Sequence, residues 1–325
     1  MTAIEWVRIP GSNDPGRTVN PIKARDKKTG AVGHFCEKVS EGCRNCYAST
    51  WQRRFHMHEF EAQNRKKIEF FLDEKVLASI ARRKQPTAYF WEDMSDLFGA
   101  WVPDKWLDAC FATMAATPRH FHYVLTKRPE RMREYLERTA PAGVPRVMLG
   151  TSAEDQDTAN VRLPELLWTP AWQRFLSYEP ALGPLTIRWA ACTCADKPAA
   201  FSRTGTGHQP TCPLHGRELC TLLHRVIYGG ESGAGARPNW LNWPASLIRQ
   251  CQDLRVPVFI KQLGAFPTQT KIGTEYFADH PTNVIKLQLT PAPGHKRASR
   301  KGNRMEEWPI VRNAKGEAID LRVRE

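Results

Sequence analysis

The chain has 325 residues, a hydrophobic fraction of 41% and a formal net charge of +13. This length suits one large α/β domain or two smaller ones, and no stretch approaches the roughly 20 apolar residues needed to span a membrane. The segment from Met1 to Pro10 carries Glu5 and Arg8 and has no apolar signal core, so we expect a cytoplasmic protein with no membrane partner.

The cysteine content and the charge each indicate a class of partner. Nine cysteines in a reducing compartment favour metal binding over a disulfide framework. The excess of positive charge favours an anionic partner, and we expect a nucleic acid or nucleotide. A soluble basic protein without such a partner is the alternative.

Three cysteines near the N-terminus form a C-x6-C-x2-C loop, at Cys36, Cys43 and Cys46. Structural zinc sites usually use four protein ligands, whereas three cysteines suit a [4Fe-4S] cluster with one open iron. An open iron could chelate the amino and carboxylate groups of S-adenosylmethionine, and reduction would then release a 5′-deoxyadenosyl radical. Zinc with His34, His56 or His58 as a fourth ligand, or no metal, are the alternatives.

Six short apolar runs after this loop are predicted to be strands, with helices between several of them. The predicted strands are Thr87–Trp91, Phe121–Leu125, Arg146–Gly150, Arg174–Ser177, Arg225–Tyr228 and Val256–Ile260, and the predicted helices are Val102–Thr117, Pro129–Thr139 and Pro244–Leu254. Strands that alternate with helices indicate parallel βαβ units. No Gly-x-Gly-x-x-Gly follows the first strand, so we expect an α/β fold built as a partial (βα) barrel rather than a dinucleotide-binding sheet.

The barrel is expected to span residues 1–267, with two segments outside its pattern. Residues 190–220 form a Cys/His-rich insertion, in which Cys192, Cys194, Cys212 and His215 predict a structural zinc site. An auxiliary cluster or no metal are the alternatives there. Residues 268–325 form a basic, polar C-terminal segment. Cys110 and Cys251 occupy helical core positions and are predicted to be packing residues.

The order of several motifs resembles a phage-associated family of uncharacterised proteins with a radical-SAM-like three-cysteine signature. The matching blocks are Asn20-Pro21, Cys36–Ala48, Met94–Phe98, Leu125–Met132, Leu149–Gln156, Ser177–Leu185, Gly229–Gly233, Ala236–Pro238 and Phe259–Gln262. The resemblance to radical SAM enzymes implies a cysteine loop followed by a radical-SAM-type barrel. The spacing here departs from their commonest C-x3-C-x2-C pattern by three residues.

Polar residues follow each predicted strand, and such strand ends converge on one face of a parallel barrel. Catalytic roles are predicted for Glu92, Asp93, Lys127 and Glu179, and cofactor contacts for Tyr47, Ser152, Gly229, Gly230, Glu231 and Ser232. An ordinary glycine turn and a solvated Lys127 are the alternatives at two of these places.

The preferred hypothesis is therefore a radical S-adenosylmethionine enzyme, served by an electron-donor protein. Its expected substrate is a nucleic acid or nucleotide, in modification or repair of phage or mobile-element DNA. A non-catalytic, metal-stabilised nucleic-acid-binding protein is the alternative.

Overall fold

The computed structural model describes residues 3–12, 14–52, 54, 56–187, 223–272, 275–277, 284–286, 310–312 and 318–321. The chain divides into two compact units. The first unit comprises Met1–Ser152 and Trp168–Arg174, and the second comprises Ala153–Leu167 and Phe175–Glu325. Within the described ranges, no helix has the length and apolar character needed to cross a membrane.

The first unit contains two sheets and most of the helices that flank them. Its strands are β1 (Ala3–Ile4), β2 (Gly16–Val19), β3 (Ile22–Asp26), β4 (Val32–Gly33), β5 (Ile68–Leu72), β6 (Ala88–Trp91), β7 (Phe121–Thr126) and β8 (Val147–Ser152). Its helices are α1 (Tyr47–Gln52), α2 (Glu74–Arg82), α3 (Asp104–Ala115) and α4 (Pro129–Thr139). One sheet has the order β1-β2-β6-β7-β8, in which β2, β6, β7 and β8 run parallel. The other is antiparallel, in the order β4-β3-β5.

The sequence explains why these elements form. All residues of β6 and β8 are buried, as expected for parallel strands covered on both faces. Helix α4 begins with Pro129 and carries an acidic residue in its first turn, which suits the amino end of a helix. Its Met132, Tyr135 and Leu136 recur at helical spacing and are buried against the core.

The second unit combines a parallel segment with a separate group of short strands. Its elements are α5 (Gln156–Trp168), β9 (Gln173–Tyr178), β10 (Arg225–Gly229), β11 (Asn239–Trp240), α6 (Asn242–Leu254), β12 (Val258–Gln262), β13 (Pro267–Ile272), β14 (Glu275–Phe277), β15 (Val284–Lys286), β16 (Ile310–Arg312) and β17 (Ala318–Asp320). The last residue of α5, Trp168, and the first two residues of β9, Gln173 and Arg174, belong to the first unit. Strand β10 lies between β9 and β12 and is parallel to both. The order β11-β13-β14-β16-β17, with β15 beside β13, forms the other sheet.

The six predicted strands and three predicted helices are confirmed, with ends that shift by at most two residues. The described parallel strands are β2, β6, β7 and β8 in the first unit and β9, β10 and β12 in the second. The fold is therefore mixed α/β, and its alternation of parallel strands with helices is consistent with a partial (βα) barrel. The predicted boundary between residues 267 and 268 stays a prediction, and the insertion at 190–220 lies outside the described residues.

Candidate functional site

The three cysteines of the N-terminal motif lie on one loop between β4 and α1. Cys43 ends the 3-10 helix Glu41–Cys43, and Cys46 directly precedes α1. Cys43 is 8% exposed, and Cys36 and Cys46 are partly buried. All three are free thiols, and Cys36 interacts electrostatically with both of the others. The fold therefore brings the predicted ligands into one neighbourhood.

The sulfur of Cys46 faces the beginning of α1. Backbone N–H groups of Ala48 and Ser49 donate hydrogen bonds to it, and the positive charge of Lys127 acts on it from nearby. These interactions favour the thiolate, but burial outweighs them and raises the pKa of the Cys46 thiol. A bound metal would supply the positive charge that a buried thiolate lacks.

Arg128 stands beside Cys36 and links it to three other parts of the first unit. Its Nη1 donates to Oδ2 of Asp96 at 2.8 Å, and its Nη2 donates to the Glu37 carbonyl at 3.3 Å. The guanidinium lies 5.1 Å from the centroid of the Trp101 ring and hydrogen-bonds the Cys36 sulfur. Burial, followed by the charge of Asp96, raises the pKa of the Cys36 thiol despite this cation. Arg128 is therefore placed to neutralise a thiolate or an anionic cluster.

Asp93 connects the end of β2 to the cysteine loop. Its Oδ1 accepts a hydrogen bond from Asn20 Nδ2 at 2.6 Å, and its backbone carbonyl accepts one from the Tyr47 hydroxyl at 2.7 Å. Oδ1 of Asn20 in turn accepts from the backbone N–H of Met94. Burial raises the pKa of Asp93. Tyr47 is 53% exposed, so its ring remains accessible beside the cysteines.

Two further residues of the turn after β6 fix the surroundings of the loop. The Ser95 hydroxyl donates to the carbonyl of Phe35, the residue before Cys36, at 2.5 Å. Oδ1 of Asp96 accepts from the Thr126 hydroxyl at 2.7 Å, and its Oδ2 accepts from the backbone N–H of Lys127 at 3.2 Å. The turn therefore holds both the cysteine loop and the carboxyl end of β7.

Glu92 is placed inside the first unit rather than at an open surface. Its side chain is 2% exposed, and Oε1 accepts a hydrogen bond from the backbone N–H of Ile22 at 2.7 Å. Oε2 has no hydrogen-bond partner among the described residues. Burial raises the pKa of Glu92 to about 8. Glu92 can therefore hold a proton near neutral pH, but its contacts are with the protein interior.

A single metal ion and a four-iron cluster require different arrangements of their ligands. Among the described residues, no three His, Cys, Asp or Glu side chains are arranged around one metal-ion position. His58, an alternative fourth ligand for zinc, lies with Nε2 2.6 Å from Oδ2 of Asp26. The Nδ1 atom of His34 is buried without a hydrogen-bond partner among the described residues. A four-iron cluster takes each cysteine on a different iron, so its ligands need not converge on one point. The neighbouring thiols, the N–H groups and the cation are compatible with such a cluster, and its presence stays a prediction.

In the second unit, Glu179 and Lys261 meet at the carboxyl ends of β9 and β12. Lys261 Nζ lies 2.6 Å from Oε1 of Glu179. A Cβ atom on Gly229 would stand 2.9 Å from the Glu179 carboxyl carbon, and one on Gly230 would stand 2.5 Å from the Leu263 carbonyl. Both glycines therefore allow the protein's own chain to pack closely.

The other predicted cofactor residues have defined surroundings. Glu231 is 5% exposed and accepts three hydrogen bonds from Arg237, from its backbone N–H, Nε and Nη2. Ser232 is half-buried in the same turn, and Ser152 is buried at the end of β8. The carboxylate of Glu231 is thus already engaged by a cation, and its part in binding a cofactor stays a prediction.

The sequence assigns no role to Asp96 or Trp101, and it predicts Arg128, beside Lys127, as a ligand for a phosphate or carboxylate, with a solvated helix cap as the alternative. Asp96, Arg128 and Trp101 surround Cys36 and Glu37, although they lie far from them along the chain. The sequence signal for Asp96 is the polar run that follows the strand ending at Trp91. The predicted zinc ligands Cys192, Cys194, Cys212 and His215 lie outside the described residues.

Comparison with known proteins gives one result. A family model described as "Protein of unknown function (DUF5131)" matches residues 26–319, a range that includes the cysteine loop and the strand ends described above. No curated protein and no solved structure matches the chain significantly. Because the model covers most of the sequence, the chain belongs to the DUF5131 family.

Proposed function

We propose that this protein is a radical S-adenosylmethionine enzyme, with a radical-SAM-type barrel and a [4Fe-4S] cluster on Cys36, Cys43 and Cys46. One observation carries the proposal: three neighbouring thiols share a buried site with hydrogen-bond donors and a cation. Hydrogen bonds to sulfur and nearby positive charge are the protein's means of stabilising an anionic cluster.

The bound cluster would supply the one-electron reduction of S-adenosylmethionine that yields a carbon radical. The chain's own residues position and shield that chemistry. Arg128 balances negative charge at Cys36, and the N–H groups of Ala48 and Ser49 do the same at Cys46. Ser95 and Asp93 anchor the loop and Tyr47 from the turn after β6.

The proposed substrate is a nucleic acid or nucleotide, in phage or mobile-element DNA modification or repair. The formal charge of +13 supports an anionic partner. An electron-donor protein, a cytoplasmic location and a structural zinc at Cys192, Cys194, Cys212 and His215 belong to the same proposal. The catalytic role predicted for Glu179 and the cofactor role predicted for the turn at Gly229–Ser232 belong to the same proposal.

The test is anaerobic purification followed by iron, sulfide and zinc analysis, with visible spectra before and after addition of S-adenosylmethionine. The expected result is about four irons and four sulfides per chain, with a spectrum that S-adenosylmethionine perturbs. Cys46→Ser should lose the iron and the spectral response, because the cluster then lacks one cysteine ligand and the two N–H groups lose the sulfur to which they donate.

Cys110→Ala is the matched control, since Cys110 is a fully buried thiol in α3 outside the loop. It should keep the cluster. Zinc at the loop, with no cluster after reconstitution, would overturn the proposal and favour a non-catalytic, metal-stabilised nucleic-acid-binding protein. An iron content in Cys46→Ser equal to that of the wild type would also overturn it.

A further inference from the structure

An open cavity lies beside the cysteine loop within the first unit. Its volume is about 720 Å³, and its lining includes Glu37, Gln63, Arg65, Lys66, Phe70 and Trp101. This volume falls within the range of small-molecule sites in proteins. Glu37 directly follows Cys36 in the chain, so the cavity adjoins the candidate metal centre. None of the residues predicted for catalysis or cofactor binding is among those that line it.

One wall of the cavity is aromatic and rigidly packed. The rings of Phe70 and Trp101 are stacked, with centroids 6.1 Å apart and planes 25° apart. Phe35 packs edge-on against both, at 5.5 Å and 5.4 Å. Trp101 is only 8% exposed, whereas Phe70 is partly exposed, so Phe70 offers the accessible ring. A fixed, partly exposed aromatic ring is what a nucleobase needs for stacking.

The positive charge of the cavity comes from the 3-10 helix Ala62–Lys67. Its last turn carries Arg65, Lys66 and Lys67, and the first two line the cavity. Arg65 Nη1 lies 3.5 Å from Oε1 of Glu37, which offsets the one acidic group named in the lining. Lys66 is exposed and makes no ion pair with any residue that the structure describes. The cavity therefore has an excess positive charge suited to a phosphate.

We propose that this cavity binds one nucleotide of a single-stranded nucleic acid. The base lies against Phe70, the adjacent phosphate lies against Lys66 and Arg65, and the exposed amide of Gln63 can hydrogen-bond the base edge. A paired base in a duplex is stacked on both faces, so only an unpaired or flipped base can use Phe70. The inference rests on the proposed function for its substrate class, and it places that substrate next to Cys36.

The test measures binding of fluorescently labelled single-stranded DNA and RNA of one mixed sequence, by anisotropy, with the matching duplex and a free nucleoside monophosphate as competitors. The protein is purified anaerobically with whatever metal it carries. Phe70→Ala should weaken strand binding about tenfold, since each stacked base contributes strongly. Lys66→Ala should weaken binding and reduce the slope of log affinity against log salt by about 0.7, the loss of one phosphate contact.

Lys67→Ala is the matched control, because Lys67 is an exposed cation on the same 3-10 helix but does not line the cavity. It should change the affinity by less than about twofold. Phe70→Leu replaces Phe70→Ala if circular dichroism shows that the latter is unfolded. Equal effects of the Lys66 and Lys67 substitutions would overturn the proposal, as would undiminished binding by folded Phe70 variants or binding of the free nucleotide alone.

The outcome is separable from that of the cluster experiment. Iron content is measured on each variant, and neither Phe70 nor Lys66 is a candidate ligand. A protein that lacks a cluster but shows the expected difference between Lys66→Ala and Lys67→Ala would sink only the radical mechanism. A protein with a full cluster and no such difference would sink only the nucleotide site.

Discussion

At the scale of single residues, Glu92 has surroundings that a surface glutamate does not share. It is 2% exposed, its backbone φ is 56°, and only Oε1 has a hydrogen-bond partner among the described residues. A protonated carboxyl can still accept the Ile22 N–H bond through its carbonyl oxygen. The folded protein therefore favours the neutral, protonated carboxyl of Glu92, and ionising this group as the pH rises costs free energy.

Glu92→Gln should remove a pH-dependent loss of stability. The carboxyl has a pKa of about 8 in the folded protein and an ordinary value of 4.5 when exposed. The folded state therefore binds the proton more tightly, and its free energy of unfolding falls as the pH rises between these values. The slope approaches about 1.4 kcal/mol per pH unit within this window. Urea unfolding across this pH window should show that the free energy of unfolding of the variant increases relative to that of the wild type as the pH rises.

Glu134→Gln provides the comparison for Glu92→Gln. Glu134 lies on the exposed side of α4, so its substitution removes a carboxyl that folding does not bury. Its stability difference from the wild type should stay nearly constant across the same pH range. A constant difference for Glu92→Gln as well would show that the Glu92 carboxyl is already ionised in the folded state.

At the scale of elements, the turn after β6 is joined to β7 and α4 by one carboxylate. Asp96 is 5% exposed, and its two oxygens accept four hydrogen bonds, from Phe98 N–H, Thr126, Lys127 N–H and Arg128. The charge also sits near the amino end of α4, where an anion is favourable. Asp96 is therefore the carboxylate that pairs with Arg128 and helps to hold it beside Cys36.

Asp96→Asn should destabilise the protein by about 2–4 kcal/mol, because it leaves the largely buried Arg128 without its countercharge. The displaced guanidinium should also lower the iron retained at Cys36. Urea unfolding and iron analysis measure the two effects. Asp104→Asn is the matched control, since Asp104 pairs with two arginines, where Asp96 pairs with one, but is 50% exposed. Its cost should stay below about 1 kcal/mol, and equal costs would contradict the importance of burial.

The elements also show what the sequence could and could not predict. Strands β6 and β8 are continuous apolar runs, and α4 has both a proline start and helical periodicity, so local pattern was enough. Strand β3 reads IKARD, and its alternating burial is hidden because one of its buried positions holds a charged residue, Asp26. Strand β4 follows β3 closely, but the pairing of β3 with β5 depends on a partner that is distant in sequence. Local pattern does not carry that information.

The candidate site divides in the same way. Spacing alone is enough to predict that Cys36, Cys43 and Cys46 form one site, because cysteines this close in sequence share a neighbourhood whatever the fold. The hydrogen bond from Arg128 to Asp96 joins residues 32 positions apart, and that from Ser95 to Phe35 joins residues 60 apart. These contacts follow from the parallel order of the strands rather than from any local motif.

At the scale of the whole molecule, the proposal couples cluster binding to folding of the first unit, which holds all three cysteines and the residues around them. Burial raises the pKa values of Cys36 and Cys46, so the metal-free protein keeps these thiols protonated, and the nearby cation and N–H groups interact with them less strongly than with a thiolate. Binding a cluster removes those protons and uses the same groups. Its binding free energy should therefore appear as folding stability.

Reconstitution with iron and sulfide should raise the unfolding temperature of the wild type, measured by anaerobic calorimetry. For a unit of this size, each kcal/mol corresponds to about 2–4 °C. Cys46→Ser should show no rise, because it loses a ligand, whereas Cys110→Ala should unfold at a lower temperature but keep the full rise on loading, since its cost is a packing defect in α3. A rise of equal size in Cys46→Ser would mean that the iron binds elsewhere. An equal rise with zinc alone would indicate that the loop is a structural zinc site. The cluster hypothesis therefore makes a prediction about stability that holds before any substrate is known.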